Sequence, residues 1–248
     1  MTAMSKTLDW LIDLIFPNRC SFCGRFIAWN ELICKECDET LTRAEFCPRC
    51  GKIECECGSR SYDYDGCAVL LTYDGIARDG VLALKYHNGF NTAKYLSGEL
   101  ADKLKACGCL RDADVITAVP MTKERRRQTG YNQAEYIAKC LSKQTGIRCD
   151  FKLIYKLKSG VIQHELTAEE RRKAVIGAYV GYENHKNLKG KTVILCDDII
   201  TTGSTLSECA KVLKSMGAKR VYCAVLAGSG HRSITDKSEM EVADNVGT

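Results

Sequence analysis

Residues 193–206 read VILCDDIITTGSTL, and the fold turns on how this stretch is divided. Val193, Ile194, Leu195 and Cys196 form a short apolar run of the kind that makes a fully buried strand, and Asp197 and Asp198 follow at once, so the strand is predicted to end in charge. After Ile199 and Ile200 come Thr201, Thr202, Gly203, Ser204 and Thr205, small residues with hydroxyls around one glycine. Leu206, Cys209, Ala210 and Leu213 then recur at helical spacing, and Thr205 with Glu208 fits the S/T-x-x-E capping box, which sets a helix start beside the glycine. Such a junction leaves several backbone N–H groups without intrahelical partners where the macrodipole is positive, so phosphate is the natural ligand. The two carboxylates upstream suit the hydroxyls of a ribose or a hydrated Mg²⁺. Acids for sugar and amides for phosphate describe a ribose 5-phosphate pocket. The alternative, an ordinary βα turn with incidental acids, does not explain why strand, acids, loop and cap agree in register.

The neighbouring sequence supplies more βα units. Residues 114–119 (DVITAV) read as a buried strand ending at Pro120, and a loop over 121–131 carries Lys123, Arg125, Arg126 and Arg127. Asn132 and Glu135 then open a helix with Ala134, Ile137, Ala138 and Leu141 inward. A basic loop at the carboxyl end of a strand lies on the ligand-binding edge of an open α/β sheet, the edge that also carries Asp197. Cations there, with Lys123, Arg125 and Arg127 as the candidates, can hold a pyrophosphate and neutralise it as a leaving group. Further strands are expected within 61–73, over 150–155 and over 219–227, with helices over 76–86 and over 91–106, the latter capped by Asn91. Gly217 is read as the C-cap of the helix before the last strand. The fold class is α/β, a mostly parallel sheet flanked by helices.

The chain has 248 residues and a net charge of +5, too mild by itself to argue for nucleic acid. A second basic cluster lies at Arg171, Arg172 and Lys173. Of the sixteen cysteines, eight come in pairs within about forty residues: Cys20 and Cys23, Cys34 and Cys37, Cys47 and Cys50, Cys55 and Cys57. Three CxxC knuckles and a CxC have the spacing at which two thiolates on one tight turn reach the same tetrahedral Zn²⁺. Eight ligands suit one or two structural zinc ions; sequential pairing is the simplest assignment and a cross-braced one is the alternative. The segment has too few apolar residues to fold without metal. The other eight cysteines are read as core or incidental residues, and His87, His164, His185 and His231 show no ligand spacing. A stretch over 8–16 is interrupted by Asp9 and Asp13 and lacks a small-residue cleavage site, and no run approaches a membrane span, so a cytoplasmic protein with reduced thiols and no transmembrane segment is expected. The expected division is an amphipathic helix within 1–18, a double zinc ribbon over 19–60, an α/β domain over 61–230 and a disordered polar tail over 231–248.

At Asp197, Asp198 and the TTGST loop the chain resembles the type I phosphoribosyltransferases, whose signature is an apolar strand, two acids, two variable residues and T-T/S-G-x-T. The resemblance implies that Asp197 and Asp198 hold the ribose hydroxyls of phosphoribosyl pyrophosphate (PRPP), accompanied by Mg²⁺, and that Thr201, Thr202, Gly203, Ser204 and Thr205 hold its 5-phosphate. The stretch VPMTKERRRQTGYNQA resembles VPxxxxRxxxRGFNQA of the competence protein F (ComF) group, which joins a double zinc ribbon to a phosphoribosyltransferase-like domain; here Thr129 replaces the arginine before the glycine. Ala83, Leu84, Lys85 and Tyr86 resemble that group's ALKY segment. In the hood that closes over the reaction centre in phosphoribosyltransferases, the chain keeps Gln163, Leu166 and Arg171 but has Lys156, Gly160 and Ala174 at the other pattern positions.

Three functions follow as expectations. The ComF resemblance implies a PRPP-pocket protein that handles single-stranded DNA during natural transformation, with single-stranded DNA and the DNA-uptake helicase machinery as partners. The second is an active phosphoribosyltransferase that moves ribose 5-phosphate to a base or amine. The third is a module that senses PRPP or a nucleotide as an effector.

Overall fold

The computed structural model describes residues 18–84, 89–157, 177–182 and 188–229. The helix expected within 1–18, the hood residues Gln163, Leu166 and Arg171, the second basic cluster, the four histidines and the tail lie outside them.

Four strands, β1 (Gly66–Thr72), β2 (Ala113–Ala118), β5 (Thr192–Ile200) and β6 (Arg220–Gly228), form one parallel sheet in the order β1-β6-β5-β2. All seven residues of β1 are buried, as a strand covered on both faces requires. Alternate side chains feed two cores. Ile194 and Cys196 of β5 and Ala224 and Leu226 of β6 face α2 (Gly75–Ala83), α3 (Phe90–Ala106) and α5 (Gln133–Thr145). Val193, Leu195, Val221, Cys223 and Val225 face α6 (Ser204–Ser215). Leu96, Leu100 and Leu104 of α3, and Ile137 and Leu141 of α5, are wholly buried at the predicted spacing, each worth about 1.5–3 kcal/mol of apolar burial.

The cysteine-rich segment shares both cores with the sheet. Phe22 and Leu41 pack with α2 and α3, and Phe46 packs with β1 and β5 on the opposite face. The approach is close at Gly80, where a Cβ would run into the Phe22 ring. Arg43 fastens the first ribbon to α3, donating to Glu99 at 2.8 and 2.9 Å and to Asp38 on the short helix α1 (Lys35–Thr40) at 2.6 Å.

Several local expectations are corrected. The strand over 150–155 does not join the main sheet: β3 (Ile154–Lys156) pairs antiparallel with β4 (Tyr179–Gly181), and only Cys149 bridges to β2, at Ile116. The 121–131 segment holds a short helix, α4 (Lys123–Thr129), because Thr122 accepts from the Arg125 N–H and Gly130 closes the last turn at φ +78°. Gly89, not Asn91, precedes α3; the Asn91 side chain instead donates to Asn18 at 3.0 Å. Gly217 closes α6 as read from the sequence, in the left-handed region at φ +100° just after Met216, with its N–H donating to the Lys214 carbonyl at 2.9 Å and the Ala218 N–H donating to the Leu213 carbonyl at 3.2 Å.

Candidate functional site: the carboxyl end of β5 and the cysteine clusters

Strand β5 does not stop at Cys196. Its pairing with β6 runs on through Asp197 opposite Val225 and Ile200 opposite Gly228, so both acids stand in the last turn of the pleat rather than beyond it. Continued backbone partners on β6 hold the strand extended past the charges. The Asp198 N–H donates to Asp197 Oδ1 at 3.0 Å, and the Ile199 N–H donates to Asp198 Oδ1 at 2.8 Å. Burial, and then the negative charge of Asp198, push the Asp197 carboxyl well above the usual carboxylate range; Lys156 offsets this only in part. A carboxyl in that state gains from hydroxyl donors or a cation placed beside it.

The turn after the strand brings its hydroxyls together. Thr202 Oγ1 and Ser204 Oγ are 2.9 Å apart, and the Ser204 N–H donates to Thr202 Oγ1 at 3.3 Å. Gly203 precedes α6 in the left-handed region at φ +76°. The helix therefore begins two residues before the capping box predicted from Thr205 and Glu208. Glu208 instead accepts from the Gly177 N–H at 2.7 Å, tying α6 to the approach of β4.

The predicted basic loop reaches this edge, since the Val119 N–H donates to the Cys196 carbonyl at 2.9 Å and the following residues enter α4 beside the acids. At 100° per residue, Lys123 and Arg127 share one side of α4 while Arg125 points roughly opposite, so the three cations do not converge. Arg125 is the one whose charge bears on Lys156, which in turn bears on Asp197. Arg126 is held by Glu135 through two bonds of 2.6 and 2.8 Å. The GYNQ residues after α4 are occupied structurally. Gly130 ends α4, Tyr131 packs on Phe90 at 5.3 Å between ring centroids, and Asn132 caps α5 while donating to the Val119 carbonyl at 2.9 Å.

Two further residues border the acids. Lys156, read from the sequence only as a departure from the hood pattern, is half-buried, and burial and then Arg125 lower its pKa. Its ammonium lies 5.4 Å from the centre of the Tyr179 ring, its register partner in the β3–β4 pair. Tyr179 is buried and its hydroxyl pKa is raised, by burial first and then by Cys209 and Asp197. Tyr179 has no sequence signal and Lys156 only its place in the hood pattern, because their nearness to the acids depends on a strand pair that leaves the main sheet.

The eight paired cysteines form two clusters in sequential order: Cys20, Cys23, Cys34 and Cys37, and Cys47, Cys50, Cys55 and Cys57. In each, the sulfurs lie within 4.8 Å of one another. Cys23 and Cys34 sulfurs are 3.7 Å apart and those of Cys47 and Cys57 3.8 Å. Four thiolates ~2.3 Å from one zinc stand ~3.8 Å apart, so the residues fit a tetrahedral Cys₄ zinc site. Burial raises the Cys23 thiol, but the Arg25 N–H and the neighbouring thiols outweigh it and hold its pKa at about 7; Cys47 is likewise held at about 7 against burial by the Cys50 and Arg49 N–H groups. Metal ligation requires such thiolates. Cys196, Cys209 and Cys223 lie outside both clusters and are wholly buried in the sheet cores, so these are packing residues.

Comparison with known proteins accounts for both halves. Residues 11–67 match the double zinc ribbon domain family and residues 133–246 the phosphoribosyl transferase domain family. Competence protein F of Haemophilus influenzae is 27% identical over 225 residues, covering 86% of this chain and 97% of its own length. Over most of its length the chain is thus similar to proteins of the ComF group. DNA utilization protein YhgH of Escherichia coli K12 is 24% identical, over 82% of this chain and 88% of that protein. Competence protein ComFC of Streptococcus pneumoniae is 24% identical, over 77% and 86% respectively. The N-terminal clusters are thus those of a double zinc ribbon with structural zinc, and the sheet is that of a phosphoribosyltransferase-type fold. No helix among the described residues is long and apolar enough to cross a membrane.

Proposed function

We propose that the chain is a PRPP-binding protein of DNA uptake. Asp197 and Asp198 take the ribose hydroxyls, and Thr201, Thr202, Gly203, Ser204 and Thr205 take the 5-phosphate at the start of α6. Arg125 and Lys156 lie on the side from which a pyrophosphate with its Mg²⁺ approaches, and Lys123 and Arg127 form a separate cationic face of α4. One observation carries this reading: a half-buried carboxylate pair near the end of β5 stands shortly ahead of a left-handed glycine and a helix N-terminus whose first turn is met by the hydroxyls of Thr202 and Ser204.

The DNA-uptake part rests on relatives named for competence and DNA utilization. Single-stranded DNA and the uptake helicase machinery are the partners proposed, in the cytoplasm, with the zinc ribbons and the exposed face of α4 supplying contacts to the strand.

Calorimetric titration of the zinc-loaded protein with PRPP and Mg²⁺ tests the pocket. Binding that Asp197→Asn with Asp198→Asn removes, while far-UV dichroism is kept, supports it; undiminished affinity of the double variant refutes it. A pyrophosphate-release assay on the same sample with pooled bases and amines separates binding from transfer: acceptor-dependent release replaces the binding role with an active phosphoribosyltransferase. Anisotropy of a labelled oligonucleotide, titrated at several salt concentrations, tests the DNA partner, and absence of salt-dependent binding removes it.

A further inference from the structure

The floor of the 201–205 loop is made by the exit from the second cysteine cluster. Gly203 rests on two tyrosines: a Cβ there would lie 2.9 Å from Tyr62 Cε1 and 3.0 Å from the Tyr64 hydroxyl. The rings stack on each other with centroids 5.0 Å apart and 25° between planes. Each is bonded back to the cluster. The Tyr62 hydroxyl donates to Glu56 Oε2 at 2.9 Å, and Glu56 stands between the ligands Cys55 and Cys57. The Tyr64 hydroxyl donates to the carbonyl of Cys50, itself a ligand, at 2.9 Å.

The same segment grips the loop from other sides. The Tyr62 hydroxyl lies 3.4 Å from the Thr202 carbonyl, so its one proton is shared between the loop and Glu56. Asp63 meets the first turn of α6, accepting from the Ser207 hydroxyl at 2.7 Å while its own N–H donates to Ser207 Oγ at 3.0 Å. Between ligand Cys50 and the sheet, Gly51 brings its backbone so close that a Cβ would meet Cys67 Sγ at 2.7 Å and Ile200 at 3.2 Å. A rigid second cluster thus fixes Glu56 and the Cys50 carbonyl, these fix the two rings, and the rings fix Gly203 and Thr202.

We infer that Tyr62 and Tyr64 are positioning residues for the 201–205 loop, through which the state of the second cysteine cluster and the occupancy of the loop are coupled. For its ligand the inference rests on the ribose 5-phosphate reading above. Coupling is reciprocal: a phosphate ester in the loop slows loss of metal from Cys47, Cys50, Cys55 and Cys57, and metal there tightens the ester. The first cluster packs against α2 and α3, on the far side of the sheet from α6, and takes no part.

The test uses the full zinc-loaded chain and its Tyr62→Phe and Tyr64→Phe variants, which keep both rings. Three quantities are read: amide hydrogen exchange in peptides covering 199–208, zinc release to a colorimetric chelator with and without ribose 5-phosphate, and calorimetric affinity for ribose 5-phosphate. The expected result is unchanged zinc stoichiometry and unchanged exchange in α5. Alongside that, exchange at 199–208 is several-fold faster, affinity is roughly fivefold weaker per variant, as the loss of one net hydrogen bond gives, and the protection of zinc by ribose 5-phosphate seen in the parent is lost. Exchange at 199–208 that matches the parent in both variants overturns the inference whatever the ligand. A parent chain that binds no ribose 5-phosphate defeats the pocket reading alone, and faster exchange in the variants then still supports the positioning role.

Discussion

Replacing Gly203 by alanine isolates the contact on which the loop rests. At φ +76° an L-residue costs about 1–2 kcal/mol more than glycine. The added methyl also meets Tyr62 Cε1 at 2.9 Å and the Tyr64 oxygen at 3.0 Å, more than half an ångström inside ordinary carbon contact, and overpacking of that kind costs about 1–3 kcal/mol. Tyr64 is buried and hydrogen-bonded, so it has little room to yield. The sum is a loss of about 2–5 kcal/mol. Gly146 is the control: it ends α5 at φ +74° with nothing within 4 Å of a Cβ, so Gly146→Ala carries only the backbone cost. Urea unfolding of the zinc-loaded variants, followed by far-UV dichroism, should separate the two by about 1–3 kcal/mol. Adding Tyr62→Ala to Gly203→Ala should recover part of that gap through less-than-additive losses. Equal losses in the two glycine variants, to within about 0.5 kcal/mol, would show that the ribbon exit does not pack against the loop.

Other outcomes follow from the same geometry. Because the folded chain holds the Asp197 proton to higher pH than the unfolded chain does, this group adds stability below the ordinary carboxylate range, and that contribution is lost as pH rises through its raised value. Asp197→Asn should therefore match the parent in thermal stability near pH 4 and exceed it increasingly above; equal melting temperatures from pH 4 to 8 would contradict the raised pKa. Asn132→Ala removes both a helix cap at 3.0 Å and a buried bond to the Val119 carbonyl at 2.9 Å, a loss of about 2–3 kcal/mol in urea, and a change under about 0.5 kcal/mol would deny it. Zinc removal by a strong chelator should abolish exchange protection in residues 20–57 and also lower the melting temperature of the sheet, since Phe22, Leu41 and Phe46 belong to its cores; an unchanged sheet transition would show that the ribbons are energetically separate.

Much of this was legible in the order of residues, because the features concerned are local. Thiolates two or three positions apart determine a knuckle, and sequential pairing is the shortest closure. The apolar run of β5 with its acids and glycine determines a strand, a turn and a helix start within fourteen residues. The inward faces of α3 and α5 follow from spacing alone. Local reading failed where a local rule lost to a distant partner. Glu208 is drawn from the capping box by the Gly177 N–H thirty-one residues away, and β5 outlasts its own apolar run because β6 continues to pair with it.

The choice among the cations was tertiary. Lys123, Arg125 and Arg127 are equivalent as letters, yet winding the segment into α4 sends Arg125 toward Lys156 and the other two elsewhere, while Glu135 claims Arg126. The support beneath Gly203 was likewise invisible in the sequence, for Tyr62 and Thr202 are 140 residues apart. Propensity and ligand spacing act over a few residues, so the chain declares them; which surface lies under a loop depends on how a shared core brings remote segments together, and that is settled only when the ribbons and the sheet bury their apolar faces against one another.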